Sequence, residues 1–384
     1  MRILYYCQSL VGVGHLACSL RIIKELVKDA LVDLIHGGLD MANPFEHPRL
    51  RTLRLPTLLH DASTGGLLDP DLARGVEAVW TLRSAQIADF LASRYDAIVV
   101  EFYPFGRRRF KPEIMNLFRA VRESSGQVPI FCSVREVLVP RPIEAERRMV
   151  ETLRKHIHTV FVRSDPDVIR LDDTFTLAPQ INDKLVYTGY ISPPPPEVWP
   201  ARRKQILVSQ GGGNVGRELM LAAIQVAPLM PEYSFVLATG SRTADHEVAA
   251  LNASVRSSNV QIRPFLADFQ HQLMASAASI SMGGDNTLLD VISTRTPALA
   301  YPFQGNPEQS LRIAKFAGKG LLTALAPADL AAQRLKPLIL RALSAPQPVH
   351  QLRADGARVT SENIKDIVRR CAAQRLKATV GALT

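Results

Sequence analysis

Short apolar runs alternate along this chain with longer stretches of helical period. In the first half the strand-like runs are Ile3–Cys7, Val32–Ile35, Leu50–Leu53, Ala97–Val100, Ile130–Ser133 and Val160–Val162. Helical stretches such as His15–Lys28 and Asp71–Ser93 separate them. In the second half the runs are Gln205–Ser209, Ser234–Ala238, Val260–Arg263, Ala278–Ser281 and Ala298–Tyr301, with helices such as Glu218–Pro228 and Asn286–Ser293 between. This order predicts parallel sheets covered by helices on both faces.

The pattern breaks at "ISPPPPEVWP", Ile191–Pro200. Four successive prolines continue neither a helix nor a central strand, and they form a stiff connector. The expected fold is therefore α/β, with two doubly wound Rossmann-like domains facing across a cleft. The first spans 1–192, a Pro-rich linker 193–203, and the second 204–360. A C-terminal helix at 361–384 is expected to pack back on the first domain. Its stretch Ser361–Leu376 is basic and amphipathic, and it reads first as a solvated helix and second as a membrane contact. In doubly wound sheets ligands bind at the carboxyl ends of the strands, which places the expected site in the cleft.

Composition narrows the class. The chain has 384 residues, 47% apolar and 21% charged, the balance of a globular protein. It has no apolar run of about 18 residues, the length a membrane span needs. Met1–Tyr6 leads straight into a glycine turn, unlike a secretory leader. Cys7, Cys18, Cys132 and Cys371 are scattered, which fits a reduced, cytoplasmic protein with no disulfide frame. The net charge of +10 favours anionic partners: nucleotide phosphates or an acidic membrane face. Nucleic acid is not expected, because interleaved aromatics and basic clusters are missing.

Glycine turns carry the candidate chemistry. In "ILVSQGGGNVGREL" a strand runs into Gly211-Gly212-Gly213, then Asn214 and a helix. Glycines admit a phosphate close to the backbone, and a helix start offers free N–H groups. The pattern is neither G-x-G-x-x-G nor a Walker loop. In "ISMGGDNTLLDVI" a second strand ends in Gly283, Gly284, Asp285 and Asn286. Asp285 or Asn286 can cap the helix, and Asp290 lies about a turn further in, suited to a ribose diol. In "PALAYPFQGNPEQ" Glu308 and Gln309 open a helix, as capping groups or as hydroxyl binders. At the N-terminus Gly12 and Gly14 precede His15, and Glu101 ends the run "DAIVVE". Arg107-Arg108-Arg109 reads as a solvated loop, or as a receiver of an anionic acceptor or a lipid headgroup. Asp69-Pro-Asp71 and Asp165-Pro-Asp167 imitate a D-x-D metal motif but stand before helical stretches, so capping is expected and no metal site.

These elements, in this order, resemble the GT-B type glycosyltransferases. They are most similar to glycosyltransferase family 28, typified by the N-acetylglucosaminyltransferase of peptidoglycan lipid II synthesis, and to a branch known as predicted glycosyltransferases. The stretch "QIRPFLADFQHQLMASAASISMGGDNTLLDVI" carries most of the likeness; in the first half it rests on "GVGHLACSL". The resemblance implies a nucleotide-diphosphate sugar, a uridine one, as donor, an acceptor hydroxyl, inversion, and no cofactor or metal. It implies that Gly211, Gly212, Gly213 and Asn214 approach the diphosphate. Phe265 and Leu266 would meet the base through their backbone. Gly283, Gly284, Asp285 and Asn286 would hold the phosphate-proximal helix start, Asp290 the ribose, and Glu308 and Gln309 the sugar. Gly12 and Gly14 would form an acceptor or phosphate loop. His15 would be the general base, with Glu101 orienting it or serving as base itself. The rival readings are a UDP-sugar hydrolase or 2-epimerase on the same scaffold, and a non-catalytic sugar-nucleotide sensor. Sugar, acceptor and oligomeric state stay open.

Overall fold

The computed structural model describes residues 1–10, 14–39, 45–61, 64–70, 75–192, 198–211, 215–240, 243–266, 268–345 and 352–381, with side chains to 375. The first half contains β1 (Arg2–Gln8), α1 (Gly14–Leu26), β2 (Leu31–Gly37), β3 (Leu50–Arg54), a small hairpin of β4 (Leu59–His60) and β5 (Leu67–Leu68), α2 (Val76–Phe90), β6 (Ala97–Glu101), α3 (Lys111–Ser125), β7 (Ile130–Arg135), α4 (Ile143–His156), β8 (Thr159–Arg163) and β9 (Leu185–Tyr187). The second half adds β10 (Arg203–Ser209), α5 (Arg217–Val226), β11 (Ser234–Ala238), α6 (Asp245–Ser254), β12 (Val260–Arg263), α7 (Phe269–Ala275), β13 (Ser276–Met282), α8 (Asp285–Ser293), β14 (Ala298–Tyr301), α9 (Pro307–Gly318), β15 (Thr323–Ala324) and α10 (Ala332–Ser344); α11 (Gly356–Gly381) closes the chain.

The chain divides into two compact units. One holds Met1–Pro166, Arg170–Ile191 and Asp355–Thr384; the other holds Asp167–Ile169 and Ser192–Ala354. Among the described residues the first unit has a seven-stranded parallel sheet, ordered β3-β2-β1-β6-β7-β8-β9. The second has a six-stranded parallel sheet, ordered β12-β11-β10-β13-β14-β15. In each sheet the order reverses beside the first strand, between β1 and β6 and between β10 and β13. The carboxyl ends of these strands are the switch points where doubly wound sheets bind ligands.

Both faces of the first sheet are buried at its centre, which is why β1 and β6 are apolar at successive positions. Leu4, Tyr6, Ile98 and Val100 pack on one side with Ile114 and Phe118 of α3. Ile3, Tyr5, Ala97 and Val99 pack on the other with Ile22 and Ile23 of α1 and Ile364, Ile367 and Val368 of α11. Burying each such side chain stabilises by about 1.5–3 kcal/mol. The apolar stripe of α11 is thus consumed against its own unit, and Lys365 Nζ reaches Asp29 at 3.0 Å. The helix also begins earlier than its periodicity predicts, at Gly356 rather than Ser361. The second core joins Ile206, Val208, Leu237 and Ile280 to Leu219 of α5 and Leu335 and Ile339 of α10.

Some expected caps are corrected. Gly75 stands at the N-cap of α2, so Asp69 does not cap it, and Asp71 lies outside the described residues. Asp165 and Asp167 flank a turn after β8 and cap no helix; the next helical turn starts at Leu171 behind Arg170. No helix among the described residues is long and apolar enough to cross a membrane.

Candidate active site

In the first unit the site grows from the ends of β1 and β6. The run Ala97–Val100 is wholly buried, and its carboxyl end delivers Glu101 to the switch point with no exposure. Gly14 opens α1, and His15 follows it with its side chain 19% exposed. His15 Nδ1 lies 2.7 Å from Glu101 Oε1. Arg163, at the end of β8, approaches the same oxygen at 3.3 Å. Arg107 Nη2 stands 3.7 Å from Glu101 Oε2, and its Nε donates to the backbone carbonyl of Gln8 at the end of β1. Phe102 meets the His15 ring edge-on at 5.3 Å.

Burial alone would raise the Glu101 carboxyl. The facing His15, Arg163 and Arg107 outweigh it and hold the group at about 2. A carboxylate so stabilised is a poor proton acceptor and a good orienting anion. If Nδ1–H donates to it, Nε2 of His15 is left bare to accept a proton. Cys7 is buried beside this cluster, and desolvation pushes its thiol up to about 12, so it is no nucleophile.

A second buried pair braces the same strand. Arg83 Nε and Nη2 donate to Glu113 at 2.9 and 2.7 Å, and Nη2 also donates to Gln8 Oε1 at 2.9 Å. Tyr6 donates to Glu113 as well. Gln8 therefore ties the two charge clusters together, through its side chain to Arg83 and through its carbonyl to Arg107.

In the second unit a cavity of about 200 Å³ opens at the end of β10. Ser209, Gly211, Phe265, Leu266, Thr287 and Asp290 contribute to its wall. Gly211 has φ +77°, a backbone state that glycine adopts without strain, and a Cβ there would meet nothing within 4 Å. The backbone is thus open to a ligand. Phe265 is 66% exposed, and Asp290 accepts a long hydrogen bond from Gln270 at 3.4 Å.

The structure brings Gly211, Phe265, Leu266 and Asp290 to one cavity, and Gly283, Gly284, Asp285, Asn286, Glu308 and Gln309 do not line it. Gly283 has a packing role: a Cβ there would sit 2.5 Å from Ile313 Cδ1 of α9. Gly284 is the N-cap of α8, so neither Asp285 nor Asn286 caps it; both lie in the first turn. Asp285 pairs with buried Arg312 at 3.6 Å. Asn306 caps α9 and accepts from the Gln309 backbone at 3.2 Å, so Glu308 and Gln309 are not the cap. The Gln309 side chain accepts from Phe303 N at 2.8 Å, and Glu308 is buried. Gly12, Gly212, Gly213 and Asn214 lie outside the described residues.

Sequence reasoning missed Arg163, Gln8, Arg83 and Thr287. For Arg163 a signal existed: a charge closing the apolar run "TVFVR", as Glu101 closes "AIVVE". The solvated-loop reading of Arg107 is corrected, because its side chain is 7% exposed and turned inward to Gln8 and Glu101.

Residues 207–370 match the glycosyltransferase family 28 C-terminal domain. An uncharacterized glycosyltransferase of Methanopyrus kandleri is 24% identical over 52% of this chain, and the aligned stretch spans only 60% of that protein's length. One of Methanosarcina acetivorans is 22% identical over 78% of this chain and 79% of its own. Among solved structures, Medicago truncatula UGT71G1 complexed with UDP-glucose superposes with a TM-score of 0.60 at 13% identity, over 96% of this chain and 98% of that one. The fold is the two-domain GT-B fold, and its second half carries the family 28 domain. The chain is thus similar to glycosyltransferases in its second half and in its fold.

Proposed function

We propose that this protein transfers a sugar from a nucleotide-diphosphate sugar, a uridine one, to an acceptor hydroxyl, with inversion and without a metal ion. The observation that carries the reading is the cavity of Gly211, Phe265, Leu266 and Asp290, which lies in the stretch matched to family 28. The UDP-glucose in the Medicago structure supports the donor class. We further propose kinship with the lipid II N-acetylglucosaminyltransferase branch, on the likeness of Gln261–Ile292 and of "GVGHLACSL".

In this mechanism Nε2 of His15 takes the acceptor hydroxyl proton while Glu101 fixes the ring and stabilises the imidazolium. The freed oxygen attacks the anomeric carbon from the face opposite the diphosphate. The bond from that carbon to the phosphate oxygen breaks, and the nucleoside diphosphate leaves with the electron pair. Attack from the opposite face inverts the centre. Backbone N–H groups at the starts of α5 and α8 stabilise the departing charge in place of a metal. The negative charge of Asp285 in that first turn is offset by Arg312. The donor stays the second unit's ligand, and proton removal is the first unit's task.

A panel of nucleotide sugars tests the reading. UDP and one UDP-sugar should raise the melting temperature, because ligand bound only to the native state stabilises it. Turnover should need an acceptor and persist in excess chelator. Free sugar and UDP formed at full rate without an acceptor would make the protein a hydrolase. Failure of every uridine nucleotide to bind would overturn the donor assignment.

A further inference from the structure

A second cavity, of about 290 Å³, lies wholly in the first unit and shares Arg107 with the His15–Glu101 cluster. Five cations line it: Arg107, Arg108, Lys111, Arg141 and Arg148. No acid does, and the rest of its wall is largely apolar, including Phe105 and Met149. We propose that this basic cavity binds a phosphate-bearing group of the acceptor. The proposal rests on the reading of the protein as a glycosyltransferase whose first unit handles the acceptor.

Three observations support it. First, like charges gathered without counter-ions repel one another, and an anion bound among them relieves that repulsion. Among the described residues no carboxylate pairs with Arg108, Lys111, Arg141 or Arg148, although nearby Arg147 pairs with Glu144 at 3.0 Å. Secondly, buried Arg107 Nη2 makes no hydrogen bond, since Glu101 Oε2 at 3.7 Å is beyond reach. Thirdly, the cations come from two elements that converge. Arg108 and Lys111 lie where the chain enters α3, and Arg141 and Arg148 lie before and along α4, whose Ala145, Met149 and Thr152 share the cavity wall. Planar guanidinium forks suit the oxygens of a phosphate or diphosphate, and several cations together match its multiple charge. The apolar wall would take the carbon skeleton beside it. Arg107 touches both this cavity and Glu101, so an anion there would sit next to the residue that orients the base.

Inorganic pyrophosphate is the probe, titrated calorimetrically into the full chain already saturated with UDP. Saturation keeps pyrophosphate out of the donor cavity. We expect one further site in the wild type. Arg141→Ser/Arg148→Ser should weaken it by about tenfold or more, the loss expected on removing charge-assisted hydrogen bonds. The UDP-induced melting shift should be unchanged, which shows the variant is folded. Arg147→Ser, outside the cavity, should bind pyrophosphate like the wild type. No pyrophosphate binding to the UDP-saturated wild type would overturn the proposal, as would equal affinity in the double variant or an equal loss in Arg147→Ser. If UDP fails to bind while pyrophosphate binds through Arg141 and Arg148, the donor reading falls and the basic site stands. Co-sedimentation with phosphatidic acid in phosphatidylcholine vesicles separates the sources. Pelleting lost in the double variant assigns the phosphate to a lipid headgroup, absence of pelleting assigns it to a soluble compound, and equal pelleting of both proteins excludes the lipid source.

Discussion

The carboxyl ends of β1 and β10 occupy equivalent places in their two sheets and carry opposite chemistry. Around β1 the protein buries charge: Glu101, Arg163, Arg107, and the Arg83–Glu113 pair behind them. Around β10 it leaves an open cavity whose wall is mostly backbone and small or apolar side chains, with Asp290 as its acid. The difference matches two tasks. A proton acceptor needs one fixed orientation and one fixed protonation pattern, and a dense ion network supplies both. A nucleotide needs room and backbone donors, and glycine supplies those.

The contrast predicts that substitutions divide by unit. The largest effect should come from His15→Ala: turnover lower by roughly 10²–10⁴-fold, the contribution of a positioned general base, with UDP affinity unchanged. Equal losses in both measurements would erase the division. Arg83→Met comes next. It leaves Glu113 buried without its partner and should lower stability by about 3–5 kcal/mol in urea unfolding. Unfolding at the wild-type denaturant concentration would show that Arg83 does not brace β1.

Glu101→Gln should lower turnover less than His15→Ala, by roughly ten- to a hundredfold, if Glu101 orients the ring and does not take the proton. It should also change the acid response. The Glu101 carboxyl is held at about 2, below its ordinary 4.5. A depressed carboxyl contributes stability above the ordinary value, and that contribution is lost as pH falls towards 2. The stability gap between wild type and Glu101→Gln should therefore be full above pH 4.5 and shrink below it. A gap independent of pH would show that the carboxylate charge does not matter to the fold. The smallest effect belongs to the second unit: Asp290→Asn should weaken UDP binding several-fold, about 1 kcal/mol for one hydrogen-bonded contact, with little change in turnover at saturation.

The two regions also differed in how far the sequence exposed them. The strands Ser234–Ala238 and Ala298–Tyr301 were legible to the residue, because a largely buried parallel strand is a nearly continuous apolar run, and the half-exposed edge strand Val260–Arg263 was legible with them. The edge strands β9 and β15, three and two residues long, carry too little pattern to stand out. The turn at Gly211 was legible because a glycine's role is local. Of its companions, Asp290 was singled out by its place a turn into the next helix, and Phe265 and Leu266 were reached only through the family likeness. The charge cluster was half legible. Glu101 announces itself at the end of a buried run, but its partners arrive from β8 and from the loop after β6. Their meeting depends on strand order, which no local pattern contains. Arg107 shows this best: within "GRRRF" it is one of three arginines, and only the fold turns it inward.

The most direct test is the pH–rate profile of wild type and His15→Ala, measured at saturating donor. The wild-type rate should rise with pH along an acidic limb, and this limb should be absent from the residual activity of His15→Ala. The same limb surviving in His15→Ala would contradict it and place the proton acceptor elsewhere.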